Sequence, residues 1–306
     1  MPAEPPTVPR VIEIPAKLTE NHSAKAPEWL AGLPSTAAAY VDRWQLTIDG
    51  EPLSGEASLI LPVVRRDGAK AMLKLQTVND ESAGEALALR TWSRDDVVAV
   101  LEDDPVTSTL LLERLESRTL DDLPDHVAAT RIVAEFLARL SAVPAPPGIR
   151  TLADVAGAMV DDAPGLIPRL ADPDERHLVR RFVAQVTELL PESGDRLLHW
   201  DLHYYNVLAA RRQPWLVIDP KPLAGDPGFD VFPVLWNRWD DLVATGELER
   251  AIRDRFDLVL EVTGIDRDRA LGWTAGRILQ NVLWDTADGE SSIYPVLRTI
   301  ATALRL

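Results

Sequence analysis

The sequence predicts an α+β chain with a small β-rich N-terminal lobe and a larger, mainly helical C-terminal lobe. Three observations carry this. Up to Leu115 short apolar runs alternate with polar residues and end at Asp-Gly pairs. Beyond Leu115 the apolar residues recur at helical spacing. Within that helical part lies one strand–loop–strand block, from Leu197 to Asp219.

The elements follow in order. Residues 1–28 carry Pro2, Pro5, Pro6, Pro9 and Pro15 and read as an extended arm outside the core. A short helix is expected near Pro27-Glu28-Trp29-Leu30. Trp44 to Ile48 alternates and stops at Asp49-Gly50, a hairpin signal. Ser58 to Val64 runs to a turn at Arg65-Arg66-Asp67-Gly68, and Ala69 to Leu75 alternates again. A helix from Glu81 to Trp92 and strands at Val97–Leu101 and Thr109–Leu115 complete a lobe spanning 29–115. In the remainder, 116–306, Asp125 is suited to cap a helix running to about Val143, which Pro144-Ala145-Pro146-Pro147-Gly148 stops. Further helices are expected at about 152–164, 174–190, 230–244, 247–263, 267–287 and 293–304.

The 306 residues are 46% hydrophobic and 26% charged, which excludes wholesale disorder. They contain no cysteine, so disulfides, thiolate metal sites and cysteine nucleophiles are excluded. No apolar run is long enough to span a bilayer, and the N-terminus lacks the pattern of a signal peptide. A cytoplasmic monomer without membrane partners is the expectation. The net charge of −16, from 48 acidic against 32 basic residues, opposes broad binding to nucleic acid. It suits a cationic small molecule, which an acidic surface concentrates. Only five of the basic residues are lysines, against 27 arginines, so Lys74 and Lys221 can be weighed individually.

The most informative stretch is His199-Trp200-Asp201-Leu202-His203-Tyr204-Tyr205-Asn206, followed by Trp215-Leu216-Val217-Ile218-Asp219. Asn206 lies five residues after Asp201, and Asp219 lies 18 after it at the end of an apolar run. This is the H-x-D-x-x-x-x-N loop and second aspartate of the kinase architecture. Phosphoryl transfer needs a carboxylate that orients the acceptor hydroxyl and takes its proton, the role read for Asp201. It needs divalent cations on the phosphates, and Mg²⁺ prefers hard oxygens such as the Asn206 amide and the Asp219 carboxylate.

With these residues, and with Asp42-Arg43-Trp44, Leu111-Leu112-Glu113-Arg114-Leu115, Gly225-Asp226-Pro227-Gly228-Phe229-Asp230 and Leu279-Gln280-Asn281, the chain resembles the aminoglycoside phosphotransferase family. The likeness is greatest to its streptomycin 6-kinase and hydroxyurea phosphotransferase branch and covers roughly residues 15–300. The resemblance implies a bilobal, protein-kinase-like fold and ATP- and Mg²⁺-dependent phosphorylation of a small-molecule hydroxyl. Streptomycin at its 6-hydroxyl is the first expectation. Hydroxyurea, an amino sugar or another metabolite is the alternative acceptor, and a nucleotide-binding pseudokinase is the alternative of another class.

The resemblance also implies individual roles. Lys74, on the third strand, would pair the α- and β-phosphates, with Glu85 as its carboxylate partner and Glu81 second. Ser54-Gly55-Glu56-Ala57-Ser58 would cover the phosphates, with Ser54, Gly55 and Ser58 as donors, although it holds only one glycine. Backbone groups of Glu113 and Leu115, where the lobes join, would meet the adenine. Asp226 and Asp230 would brace the catalytic loop, and His199 would position it by bonding backbone near Asp219. His203 is read as a satisfied loop histidine. Six of the nine tryptophans lie after residue 199, several beside acidic residues. Carboxylates bind guanidinium and ammonium groups, and indole faces stack on them. Trp236, Asp240, Asp285 and Asp288 are accordingly named as substrate contacts.

Overall fold

The structure, a computed structural model, describes residues 12–306. The chain divides into two compact units. One takes in the described residues up to Ala86 together with Ala99–Arg114, and the other comprises Leu87–Val98 and Leu115–Leu306.

The first unit opens with two helices, α1 (Ala16–His22) and α2 (Pro27–Arg43). Its strands are β1 (Thr47–Ile48), β2 (Leu53–Ser54), β3 (Ser58–Val64), β4 (Lys70–Gln76), β5 (Val100–Asp104) and β6 (Thr109–Glu113). They form one antiparallel sheet in the order β1-β3-β4-β6-β5, with β2 also on β3. The β3–β4 register sets Leu59 opposite Leu75, Leu61 opposite Leu73 and Val63 opposite Ala71. All six are buried and share one face, as the period of two requires. Against them pack Ile12, Leu18, Leu33, Ala37 and Tyr40. Each large side chain withdrawn from water contributes about 1.5–3 kcal/mol.

Two expectations are corrected here. Residues 1–11 lie outside the described residues, but the rest of the supposed arm is neither extended nor peripheral. Leu18 of α1 is completely buried. Pro15 immediately precedes α1 and Pro27 opens α2, so both prolines stand where no helical N–H is missed. The second helix also runs on to Arg43, well past the short helix expected near Pro27–Leu30, and the strand expected from Trp44 is confined to Thr47–Ile48. The Trp44 ring packs on Tyr40 at 4.8 Å, a helical i,i+4 contact, and Gln45 turns the chain with φ of 52°.

The second unit carries α4 (His126–Leu140), α5 (Leu152–Leu166) and α6 (Pro173–Leu189), after α3 (Glu85–Thr91), which begins in the first unit. Two antiparallel hairpin-like pairs follow, β7 (Arg196–Leu198) with β10 (Leu223–Gly225) and β8 (Val207–Ala209) with β9 (Trp215–Val217). Then come α7 (Phe232–Leu235), α8 (Trp239–Ala244), α9 (Leu248–Thr263), α10 (Arg267–Ala287) and α11 (Pro295–Leu304). Asp125 caps α4, accepting from the N–H groups of Val127 and Ala128. The long α10 is buried along most of its length, with Trp273 wholly enclosed. The single helix expected at 230–244 is broken, because Arg238 adopts φ of 48° between α7 and α8. Asn237 fixes the break. Its Oδ1 accepts from the Tyr204 N–H at 3.0 Å and its Nδ2 donates to Pro233 O at 3.0 Å. Among the described residues no helix is long and apolar enough to cross a membrane.

Candidate active site

In the first unit, β4 directs Lys74 to the face opposite Leu73 and Leu75. Its Nζ donates to both carboxylate oxygens of Glu85, at 2.7 and 2.8 Å, and Gln76 Nε2 donates to Glu85 at 2.6 Å. Lys74 and Glu85 are both buried. Glu81 is half-buried, and its N–H is spent on Asn79. A buried ion pair adds little net stability, because desolvation offsets its Coulomb gain, so it is weak evidence for a purely structural role.

The Ser54–Ser58 segment is a tight turn. The Gly55 N–H donates to Ser58 O at 2.9 Å, and a Cβ at Gly55 would stand 2.5 Å from Ser58 Oγ. A side chain at Gly55 would have to displace the Ser58 hydroxyl, and the Gly55 N–H is already used within the turn. The Glu113 N–H is likewise donated, to Ala99 O at 2.9 Å. Neither N–H is therefore available as a nucleotide donor.

In the second unit, β7 leads into His199-Trp200-Asp201. His199 is buried, with Trp92 stacked at 6.3 Å. Its Nε2 donates to Ile218 O at 2.9 Å, and its Nδ1 accepts from the Asp201 N–H at 3.3 Å. These contacts require the neutral ring, and burial lowers its pKa to about 3. The Asp230 carboxylate accepts from the N–H groups of His199 and Trp200 at 2.8 and 2.7 Å. Burial pushes that carboxyl up to about 6 despite those bonds. Asp226 accepts from the Gly228 N–H at 2.7 Å and from Arg269 Nε at 2.6 Å, which fixes the turn carrying Asp230.

Trp200 has φ of 65°, a left-handed conformation rare for a bulky residue. Its side chain is anchored on several sides. Arg150 lies 4.1 Å and Arg277 5.6 Å from the ring, and the indole N–H donates to Gln280 at 3.3 Å. This anchorage was not foreseen from the sequence, and neither was the Asn237 tie to Tyr204. Leu279-Gln280-Asn281, already singled out as a motif, was the available signal for the first.

Asn206 Nδ2 donates to Asp201 O at 2.9 Å, and the Ile218 N–H donates to Asn206 O at 2.9 Å. Asp219 also has a left-handed φ, 56°, and lies between two links to His199: the Ile218 carbonyl and the Lys221 N–H, which donates to His199 O at 3.0 Å. Asp201, Asn206 and Asp219 are thereby tied into one hydrogen-bonded assembly. The Asp201 side chain remains 40% exposed. Desolvation raises its pKa, opposed by the neighbouring His203, Arg277 and Lys221 side chains. His203 Nε2 lies 3.7 Å from Asp201 Oδ2 and 3.2 Å from Asn206 Nδ2, but its Nδ1 is buried with no partner, so this histidine is not fully satisfied.

The donor chemistry fits a magnesium ion. Among the described residues no group of three His, Cys, Asp or Glu side chains could hold a metal. Asn206 and Asp219 supply two hard oxygens, which suits a cation that keeps waters and phosphate oxygens as its other ligands.

Of the four residues expected to meet substrate, Trp236 and Asp285 line one cavity of about 400 Å³, together with Asn281, Glu290, Ser292 and Tyr294. Burial and the nearby Glu290 and Asp288 raise the Asp285 pKa. Asp288 ends α10 beside the cavity without lining it, and Asp240, in the first turn of α8, is not among its walls. Trp284, next to Asp285, packs on Trp200 at 6.4 Å, which links this wall to the His199–Asp201 segment.

A profile described as aminoglycoside/hydroxyurea antibiotic resistance kinase matches residues 43–289. The chain belongs to that family. A streptomycin 6-kinase of Streptomyces glaucescens is 52% identical over 301 residues, covering 97% of this chain and 98% of the relative. A hydroxyurea phosphotransferase of Kitasatospora aureofaciens is 48% identical, covering 92% of this chain and 83% of the relative. Among solved structures, a thermostable mutant of an aminoglycoside phosphotransferase in ternary complex with AMP-PNP and hygromycin B aligns with a TM-score of 0.60 at 20% identity. That alignment covers 89% of this chain and 96% of the other, so the kinase-like fold expected from the sequence is the fold observed. The protein is a kinase of the aminoglycoside phosphotransferase type.

Proposed function

We propose that this kinase transfers the γ-phosphoryl group of ATP to the 6-hydroxyl of streptomycin and so inactivates the antibiotic. The observation that carries the reading is the 52% identity to a streptomycin 6-kinase over nearly the full length of both chains. Asp201 accepts the hydrogen bond of the acceptor hydroxyl, aligns its oxygen and takes its proton as the new O–P bond forms. Asn206 and Asp219 would hold magnesium, which neutralises charge developing on the phosphates. Lys74, kept in register by Glu85, binds the α- and β-phosphates. The hydroxyls of Ser54 and Ser58 are the donors of the turn, since the Gly55 N–H is engaged. The Glu113 carbonyl and the Leu115 N–H are assigned to adenine. Asp285 and Glu290 receive the guanidinium groups of streptomycin, with Trp236 and Tyr294 as stacking walls. Asp240 and Asp288 contribute only through their charge.

The test is ADP release with streptomycin, with hydroxyurea and with no acceptor, and product mass to detect one added phosphoryl group. Streptomycin-dependent turnover supports the reading. Turnover with hydroxyurea alone transfers the activity to the acceptor named by the 48% relative. ADP binding without turnover on any acceptor leaves the pseudokinase.

A further inference from the structure

Lys221 is the one lysine of the second unit; the other four all precede Glu85. It stands between Pro220 and Pro222, so its backbone is stiffened from both sides. Its N–H is fixed to His199 O at 3.0 Å. From this rigid base the side chain carries its ammonium to Asp219, where Nζ donates to Oδ1 at 3.1 Å. The side chain is 24% exposed, so the ammonium is reachable by a ligand.

The other basic side chains around Asp201 are engaged by further partners. Arg277 is buried against the rings of Trp200, Phe229 and Phe232 and donates to Gln280. His203 Nε2 accepts from Asn206 Nδ2, so at that nitrogen it offers no proton to a phosphate. An ammonium differs from a guanidinium in being a compact charge with three donors that can exchange acceptors. One donor of Lys221 is on Asp219, a residue assigned above to the metal. A divalent cation on that carboxylate would repel the ammonium, and phosphate oxygens brought with the cation would attract it.

We propose that Lys221 is a catalytic residue of the phosphoryl transfer, holding Asp219 before nucleotide binds and then hydrogen-bonding the group in flight. This rests on the phosphotransfer reading given above. In the step, the acceptor oxygen bonds to the γ-phosphorus while the bond to the bridging oxygen breaks, and its electron pair leaves with ADP. The hydroxyl proton passes to Asp201. Lys221 stays protonated throughout and stabilises charge on the moving phosphoryl oxygens.

The experiment compares the wild type with K221M, K221Q and K221R. It reads kcat and both KM values, and Mn²⁺ binding to the nucleotide-free chain by electron paramagnetic resonance. Losing one positioned donor to the transition state lowers kcat in K221M and K221Q by about 10²–10³-fold, with both KM values within a few-fold. K221R recovers part of that loss. Mn²⁺ binds roughly tenfold more tightly to K221M, because a competing charge next to Asp219 is gone. Unchanged kcat overturns the proposal. So does weaker Mn²⁺ binding in K221M, which would make Lys221 a prop for Asp219 and nothing more. A folded wild type with no turnover on any acceptor overturns the phosphotransfer reading instead, a result separable from any effect of position 221.

Discussion

The ammonium of Lys74 lies 2.7 Å from one oxygen of Glu85 and 2.8 Å from the other, with both side chains buried. Truncating one member would leave a charge enclosed without compensation. E85A is expected to lose about 3–5 kcal/mol of stability, read from urea unfolding. Below its melting point it should bind ATP more weakly while the KM for the acceptor changes little.

Asp201 is assigned the acceptor proton. D201N keeps the shape of the side chain and removes the base. It is expected to lower kcat by about 10²–10⁴-fold. Nucleotide affinity, followed by calorimetry with ADP and Mg²⁺, should be retained. Survival of full activity would remove Asp201 from the mechanism.

Asp230 and His199 should drive stability in opposite directions between pH 4 and 6. The Asp230 carboxyl is raised from 3.8 to about 6, so the folded state holds its proton more tightly than the unfolded state. Its contribution is complete below 3.8 and declines as pH rises through 6. His199 is lowered from 6.5 to about 3, so its contribution is complete above 6.5 and declines as pH falls. Unfolding free energies measured across this range should rise more steeply with pH in D230N than in the wild type, and less steeply in H199N.

The wall of the 400 Å³ cavity offers a test of acceptor recognition. A hydrogen bond to a charged group contributes about 1.5–3 kcal/mol, so D285N should raise the KM for streptomycin by roughly 10- to 100-fold. The KM for ATP should stay the same. A parallel rise in both would mean that the substitution disturbs the fold rather than the acceptor site.

The residues most legible in the sequence are those whose chemistry dictates local spacing. Asp125 announces a helix start because its carboxylate needs N–H groups two and three residues on. The Asp201, Asn206 and Asp219 pattern is readable because one loop and one strand end deliver all three. Glu85 is readable for a related reason: a helix directly after β4 brings its first turn back to Lys74. What escaped the reading is long-range. Asn237 meets Tyr204 across 33 residues and Gln280 meets Trp200 across 80, and no local propensity records either contact. The burial of Leu18 escaped because prolines around α1 suggested an open chain, whereas here Pro15 and Pro27 begin helices.

The backbone at position 200 would suit glycine, yet it carries the bulkiest side chain available. A glycine in its place would relax the peptide and at the same time cut the tether to helix α10. Such a protein would keep every group that touches its ligands and lose the rigidity with which they are aimed. Variants that erode activity can therefore arise at side chains that touch neither nucleotide nor acceptor and act only through the backbone they hold.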